Sequence, residues 1–396
     1  MVRSYFTHDN WLEEQASKGV PLLSDCYVED LRTLQLGYWD IRDCNTALIR
    51  FTDMGGVTEA RVQEIPSGGS LKAFKLGVEE MVYVLGGRGF ASVWGEISNA
   101  KRDFEFSDRS VFVIPRNAWA EIRNMGNTPV RLLYFNYLPI AMSTIPDPEF
   151  FMNNAHVNKT ILDNADQDFF SEAKDIEKNF GSAWGAVGAT VWSGNFWPDL
   201  LAWDKLTAAG SRGAGGSSIA MYVPDSEISA HMSVFPPGTY KKAHRHGPGA
   251  HLLITGGVGF ALVWKNEDMS DLVKADWQRG SLYLPTQDAD NEYFHQHFNV
   301  GTTPARYINM SPANSRKYAV RRGSNDISKQ GEIRAMVSIK EGGIQLEYED
   351  ESRRVHEIFE EELRKHGQEC RMKNLIPYCT GVEGPQNKKG ALKAWD

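Results

Sequence analysis

The sequence predicts an all-β-dominated protein with two barrels or sandwiches in one chain and helices at the periphery. Three observations carry this expectation. The chain repeats itself once, and the helix signals fall outside the two copies. Each copy is a series of short Val, Ile, Leu and Tyr-rich runs punctuated by Gly, Pro and Asn, the pattern of antiparallel strands.

The repeat emerges when the chain is slid along itself by 170 positions. Ile65-Pro-Ser-Gly-Gly-Ser-Leu-Lys-Ala-Phe74-Lys-Leu76 then lies over Phe235-Pro-Pro-Gly-Thr-Tyr-Lys-Lys-Ala-His244-Arg-His246. Gly86 to Trp94 falls on Gly256 to Trp264, and Ser110 to Pro115 falls on Gly280 to Pro285. Past those prolines, five extra residues move the offset to 175, which sets Ala120 over His295 and Asn124 over Asn299.

In chain order, residues 1–55 are expected to form an N-terminal arm with a short helix, because Asn10-Trp-Leu-Glu13 has the spacing of a capping box. Residues 56–145 form the first barrel. Residues 146–215 separate the copies; Phe150, Phe151, Trp184, Trp192, Trp197 and Trp203 argue against a flexible linker and for packing on the barrels. Residues 216–315 form the second barrel. In the extension 316–396, Val355, Ile358, Phe359 and Leu363 make an apolar stripe on a charged helix ending at Gly367.

Composition excludes several classes. With 396 residues the chain can bury a substantial core in two or three domains. A net charge of -8 and no basic run longer than Arg321-Arg322 argue against a nucleic-acid partner. Cys26, Cys44, Cys370 and Cys379 contain no Cys-x-x-Cys pair, so reduced thiols are expected rather than a disulfide or zinc framework. The opening residues lack a secretory signal, and no stretch approaches the roughly 18 apolar residues of a membrane span. A cytoplasmic protein with no membrane contact is expected.

The chemistry-bearing signal is histidine. His244, His246, His251, His295 and His297 fall in one region of the chain. Imidazole is the commonest metal-binding side chain, and His-x-His puts two rings on one strand face, roughly 6.6 Å apart along the backbone.

These residues resemble the cupin superfamily. Its first motif, Gly, five residues, His-x-His, Glu and Gly, is met by Gly238, His244, His246 and Gly257, with Ala250 at the glutamate position. Its second motif is met by Gly280, Pro285, His295 and Asn299, with an insertion before the histidine. The resemblance implies two jelly-roll barrels in one chain, a bicupin. It also implies a metal in the second barrel held by His244, His246 and His295. The first copy has Phe74, Leu76 and Ala120 at those places and is expected to be metal-free, a scaffold, dimerisation surface or lid support in which Glu80 is structural or at the surface.

Three neutral imidazoles leave a divalent ion at its full charge, which favours an anionic, chelating substrate. In this they are similar to the three-histidine cupins, the gentisate-type and diketone-cleaving dioxygenases, although gentisate-type bicupins usually carry their metal in the first barrel. The leading expectation is a non-haem Fe(II) dioxygenase that uses O₂ to cleave a C–C bond of a small anionic aromatic or enolisable substrate. A lyase, isomerase or decarboxylase using Mn, Ni or Zn without redox change is the alternative, and a non-catalytic ligand-binding bicupin is the second. A homo-oligomer is expected. His297 is the catalytic candidate, as a fourth ligand, an acid/base group or a substrate hydrogen-bond donor, against a buried structural histidine. His251 follows the glutamate position; strict alternation turns it away from the metal, and a bulge at Gly247-Pro-Gly249 would make it a ligand. Asn299 is expected at a strand end or behind the metal ligands rather than as one of them, and Arg306, which recurs as Arg131, is expected to be structural.

Overall fold

The computed structural model of the chain describes residues 6–51, 56–177, 190–202, 206–208, 212–245, 250–284, 293–312 and 337–382. His246 and the Gly247-Pro-Gly249 turn lie outside them, as do Pro285, Trp184, Trp203 and Arg321-Arg322.

Each copy folds as a large sheet facing a small one. In barrel one the large sheet runs Leu22–Leu23, Cys44–Ile49, Glu59–Ile65, Val130–Asn136, Glu80–Gly86, Val111–Ile114, Phe196–Trp197, and the small sheet Ser70–Phe74, Trp119–Asn124, Arg88–Trp94, Arg102–Ser107. In barrel two the large sheet runs Lys174–Glu177, Thr190–Ser193, Ser217–Tyr222, Ile228–Phe235, Ala305–Pro312, His251–Gly256, Leu282–Tyr283, Tyr27–Val28, and the small sheet Thr239–Tyr240, Phe294–Asn299, Val258–Trp264, Val273–Gln278. This mostly antiparallel, paired-sheet architecture is the double jelly roll that the bicupin resemblance implies.

Strand alternation assigns the faces. In Glu80–Gly86, Val82 and Val84 belong to the core of barrel one, while Met81, Tyr83 and Leu85 join an apolar layer shared with barrel two. In His251–Gly256, Leu252 and Ile254 enter the core of barrel two and Leu253 enters the shared layer. The two large sheets therefore bury apolar side chains on both faces, because they pack on each other. Leu133, Met232, Leu253 and Ile308 are fully buried there, and each such side chain contributes roughly 2 kcal/mol.

The copies are longer than the motif match suggests. Leu22–Leu23 pairs parallel to Cys44–Ile49, and Thr190–Ser193 pairs parallel to Ser217–Tyr222; Gly37–Trp39 and Thr207–Ala208 add antiparallel to the same two strands. Short strands of the expected arm 1–55 and of the expected segment 146–215 thus join the barrel sheets. These strands share a position in the fold but no motif, so the repeat was not legible there.

Each arm also crosses to the other barrel. Tyr27–Val28 of the first copy pairs with Leu282–Tyr283 of barrel two, and Phe196–Trp197 of the second copy pairs with Val111–Ile114 of barrel one. The recurrent arginines hold the crossing points. Arg131 donates to the carbonyls of Leu31 and Leu34, each at 3.1 Å, and Arg306 donates to that of Leu200 at 2.9 Å. Their expected structural role is what the geometry displays.

Asn124 and Asn299 likewise do the same work, each donating to carbonyls across its turn and accepting from the N–H two residues on, Gly126 and Gly301. Between Val111–Ile114 and Leu282–Tyr283 the copies match at 171 rather than 170. The Ser110 hydroxyl donates to Pro198 and the Ser281 hydroxyl to Glu29. Leu200 N–H donates to Arg109 and Leu31 N–H to Gly280 in the same way.

The first helix spans Thr7–Ser17, so Asn10 lies inside it and forms no capping box. The helix seals barrel one instead, with Trp11 and Leu12 buried and His8 against Glu59 at 2.6 Å. The predicted C-terminal helix is Arg353–His366, capped by the Ser352 side chain and ended by Gly367 at φ 63°. Its Val355, Phe359 and Leu363 pack on Tyr240, Phe260 and Phe298 of barrel two's small sheet. No helix among the described residues is long and apolar enough to cross a membrane.

Candidate metal centre

His244 and His295, distant in sequence, are direct cross-strand partners. Each N–H donates to the other's carbonyl, at 3.1 and 2.9 Å. The chain reaches this register through an irregularity. Thr239–Tyr240 pairs with Asn299 and Phe298, and Lys241 N–H still donates to His297, but His244 meets His295, so one extra residue lies between. The same shift occurs in copy one, where Ala120 meets Phe74 and Ile122 meets Leu71. A bulge re-aims side chains. Here it lets both Lys241 and His244, three apart, address the barrel interior.

An imidazole centroid lies about 3.2 Å from an ion bound through one of its nitrogens at about 2.1 Å, so two rings on one ion are at most ~6.4 Å apart. His244 and His295 centroids are 4.1 Å apart, which fits neighbouring ligands. His295 and His297 are 5.4 Å apart, and His244 and His297 are 6.5 Å apart, at the limit. His297 is 2% exposed, and its Nδ1 is 2.7 Å from the Tyr283 hydroxyl. The structure therefore brings together His244 and His295, with His297 beside them held by Tyr283. His246 lies outside the described residues.

His251 is elsewhere. It is fully buried on the other face of the large sheet, its ring 5.1 Å from those of both Phe51 and Phe135 of barrel one, with Thr58 Oγ1 at 3.4 Å. Burial holds its imidazole neutral, with a pKa lowered to about 3. The alternation that seats Leu252 and Ile254 in the barrel core forces this, and no bulge reverses it along His251–Gly256 up to Ile254. Ala250, at the glutamate position, sits in the core of barrel two.

The interior also carries polar groups that sequence reading missed. The Lys241 ammonium, buried, donates to the Ser233 hydroxyl and lies 3.3 Å from the Tyr307 hydroxyl. Burial pulls the lysine's pKa down. Burial pushes the Tyr307 phenol up, but the Lys241 charge, the Ser233 hydroxyl and Arg212 outweigh it and leave the phenol below its usual range. The Tyr307 ring is 5.2 Å from that of His297 and 6.2 Å from that of His231. A guanidinium nitrogen of Arg212 contacts His244 Nδ1 while another donates to Gln345 at 2.8 Å. Burial lowers this arginine to about 10.

Comparison with copy one sorts these groups. Arg42 stands where Arg212 does and lies 4.2 Å over the ring of Phe74, the counterpart of His244. An arginine against this position is therefore common to both copies, buried in the first and half-buried in the second. Leu71 and Leu132 stand where Lys241 and Tyr307 do, so that pair belongs to barrel two alone. Glu80 is buried and ion-paired with Arg61, which lies 4.5 Å over Tyr134. Barrel two replaces Arg61 and Glu80 with His231 and Ala250.

The donor set fits a first-row divalent ion: neutral imidazoles on one face of a small sheet suit Fe, Mn, Ni or Zn. Ligation by His244 through Nε2 would place a proton on Nδ1, facing the Arg212 guanidinium, so that contact must loosen when an ion binds.

No protein-family model matches the chain, and no curated protein does. Among solved structures it is similar to oxalate decarboxylase of Bacillus subtilis, described there with Mn(II) centres. That match has TM-score 0.46 and 10% identity, over 73% of this chain and 78% of that one. It is also similar to the formate complex of Lactobacillus farciminis oxalate decarboxylase, with TM-score 0.46 and 10% identity, over 73% and 86%. At this distance the likeness says nothing of chemistry.

Proposed function

We propose that barrel two is a metal-dependent enzyme centre for a small anionic, chelating substrate, with His244, His246 and His295 as ligands, and that its reaction is a non-redox lyase step such as decarboxylation. The observation that carries this reading is the Lys241–Tyr307 pair, buried beside the histidines and absent from copy one. The ion would act as a Lewis acid that polarises a substrate carbonyl or carboxylate oxygen. Arg212 and Lys241 supply two further positive charges in a low-dielectric interior, which attract a carboxylate. In decarboxylation the C–C bond breaks, its electron pair stays on the substrate carbon and CO₂ leaves. Lys241, with its proton shared toward Tyr307, is placed to protonate that carbon. His297, fixed by Tyr283, lines the same space as a hydrogen-bonding group.

Ala250 favours a second reading. With no carboxylate at the fourth motif position, three imidazoles leave an open face for substrate and O₂, as the Fe(II) dioxygenase expectation requires. Element analysis followed by turnover under strict anaerobiosis separates the two. CO₂ release without O₂, supported by Mn or Zn, is expected. Turnover that requires iron and consumes O₂ in step with product would select the dioxygenase.

A further inference from the structure

Cys370 and Cys379, nine residues apart in sequence, meet in space. Their Sγ atoms lie 3.5 Å apart beside the C-terminal helix, where His356 and Glu360, one turn from each other, face them. One ligand atom from each of the four residues lies within 4.8 Å of all the others. We propose that His356, Glu360, Cys370 and Cys379 form a second metal site, a closed structural site for Zn²⁺ that fastens the C-terminal segment to barrel two.

The spacings match the ion. Ligand atoms bound to zinc at about 2.0–2.3 Å lie roughly 3.3–3.8 Å apart along the edges of a tetrahedron. Three of the six edges lie in that range, 3.5 Å between the sulfurs, 3.5 Å from Cys379 Sγ to Glu360 Oε1 and 3.3 Å from His356 Nε2 to Glu360 Oε1, and the other three are no longer than 4.8 Å.

The surrounding hydrogen bonds orient each ligand. The Tyr240 hydroxyl donates to Glu351 and therefore accepts from His356 Nδ1 at 3.1 Å, which leaves the Nε2 lone pair toward the sulfurs. That Nε2 is buried and has no hydrogen-bond partner in a residue 2% exposed, an orphan an ion would satisfy. Glu360 Oε1 accepts from the N–H groups of Thr380 at 2.9 Å and Gly381 at 3.2 Å, and its Oε2 from the Thr380 hydroxyl and Arg364. These bonds draw the loop after Cys379 onto the helix. Two thiolates and one carboxylate exceed the charge of Zn²⁺ by one, and the Arg364 guanidinium, 3.2 Å from Glu360, balances it. Binding releases the two thiol protons to solvent.

The site is separate from the barrel histidines, so the test keeps them apart. Full-length His295→Ala grown with zinc should hold about one equivalent of Zn²⁺ that survives desalting and is lost when Cys370→Ala and Cys379→Ala are added to it. Should that variant fail to fold, Co²⁺ added to metal-stripped wild type should raise the near-ultraviolet thiolate-to-cobalt absorption. Zn²⁺ should also protect two thiols from a thiol reagent. Absence of both the absorption and the protection overturns the proposal. So does a non-reduced protein, denatured, that shows two thiols fewer than its sequence, which would mean a Cys370–Cys379 disulfide.

Discussion

Lys241 shows how much a single residue's meaning depends on backbone irregularity. Read by strict alternation it faces away from His244; the bulge turns both inward. Replacing it with methionine keeps much of the stem's volume and removes the charge. Lys241→Met is expected to lower kcat about 100-fold or more and to raise KM for an anionic substrate. Metal content, measured on the same preparation, should not change. His295→Ala is expected to do the opposite first, emptying the barrel of its ion and thereby abolishing turnover. Two of the residues in the site were legible as motif histidines, because the copy with Phe74 and Ala120 showed what barrel two had in addition. Lys241 and Tyr307 carried the same signal, a polar residue over Leu71 and Leu132, yet which way they point is set by a bulge and a sheet register that no local pattern reports.

At the scale of the element, the strand His251–Gly256 presents one face to a barrel core and the other to a neighbouring barrel, and this makes His251 a liability in acid. Its folded pKa of about 3 lies below the ordinary value of 6.5. Above that ordinary value both folded and unfolded chains hold it neutral, and it adds no pH dependence. As pH falls below 6.5 the unfolded chain takes up the proton and the folded one does not. Stability is then lost by up to ~1.4 kcal/mol per pH unit until the folded pKa is reached. His251→Leu should flatten acid unfolding in that window, followed by denaturant midpoints at a series of pH values. If the acid limb is unchanged, His251 is not the group that drives it. The C-terminal helix was fully legible, since a stripe of Val355, Phe359 and Leu363 with a glycine stop is a local pattern. The N-terminal helix was misplaced because its start at Thr7 is fixed by packing on barrel one rather than by a side-chain cap.

For the whole molecule, the repeat predicted two barrels but not their exchange of arms, because the crossing strands are only two residues long and leave no period to detect. The exchange makes each barrel incomplete without the other copy. A fragment beginning at residue 216 lacks Tyr27–Val28 and exposes the backbone edge of Leu282–Tyr283, along with the apolar face of its large sheet. Expressed alone, it is expected to aggregate, and co-expression with residues 1–215 is expected to restore a soluble pair, judged by size-exclusion chromatography. A monomeric, folded fragment would show that the exchange is dispensable.

The crossing arms also impose a timetable on synthesis. Barrel one's last own strand ends at Asn136, and the strand that covers its edge begins 60 residues later, at Phe196. Tyr27–Val28, by contrast, has left the ribosome long before barrel two is begun. The nascent first barrel therefore waits with an open edge, while the second closes as soon as it is delivered. Unpaired edges template association, so the interval between those two points is where a growing chain is expected to depend most on chaperones.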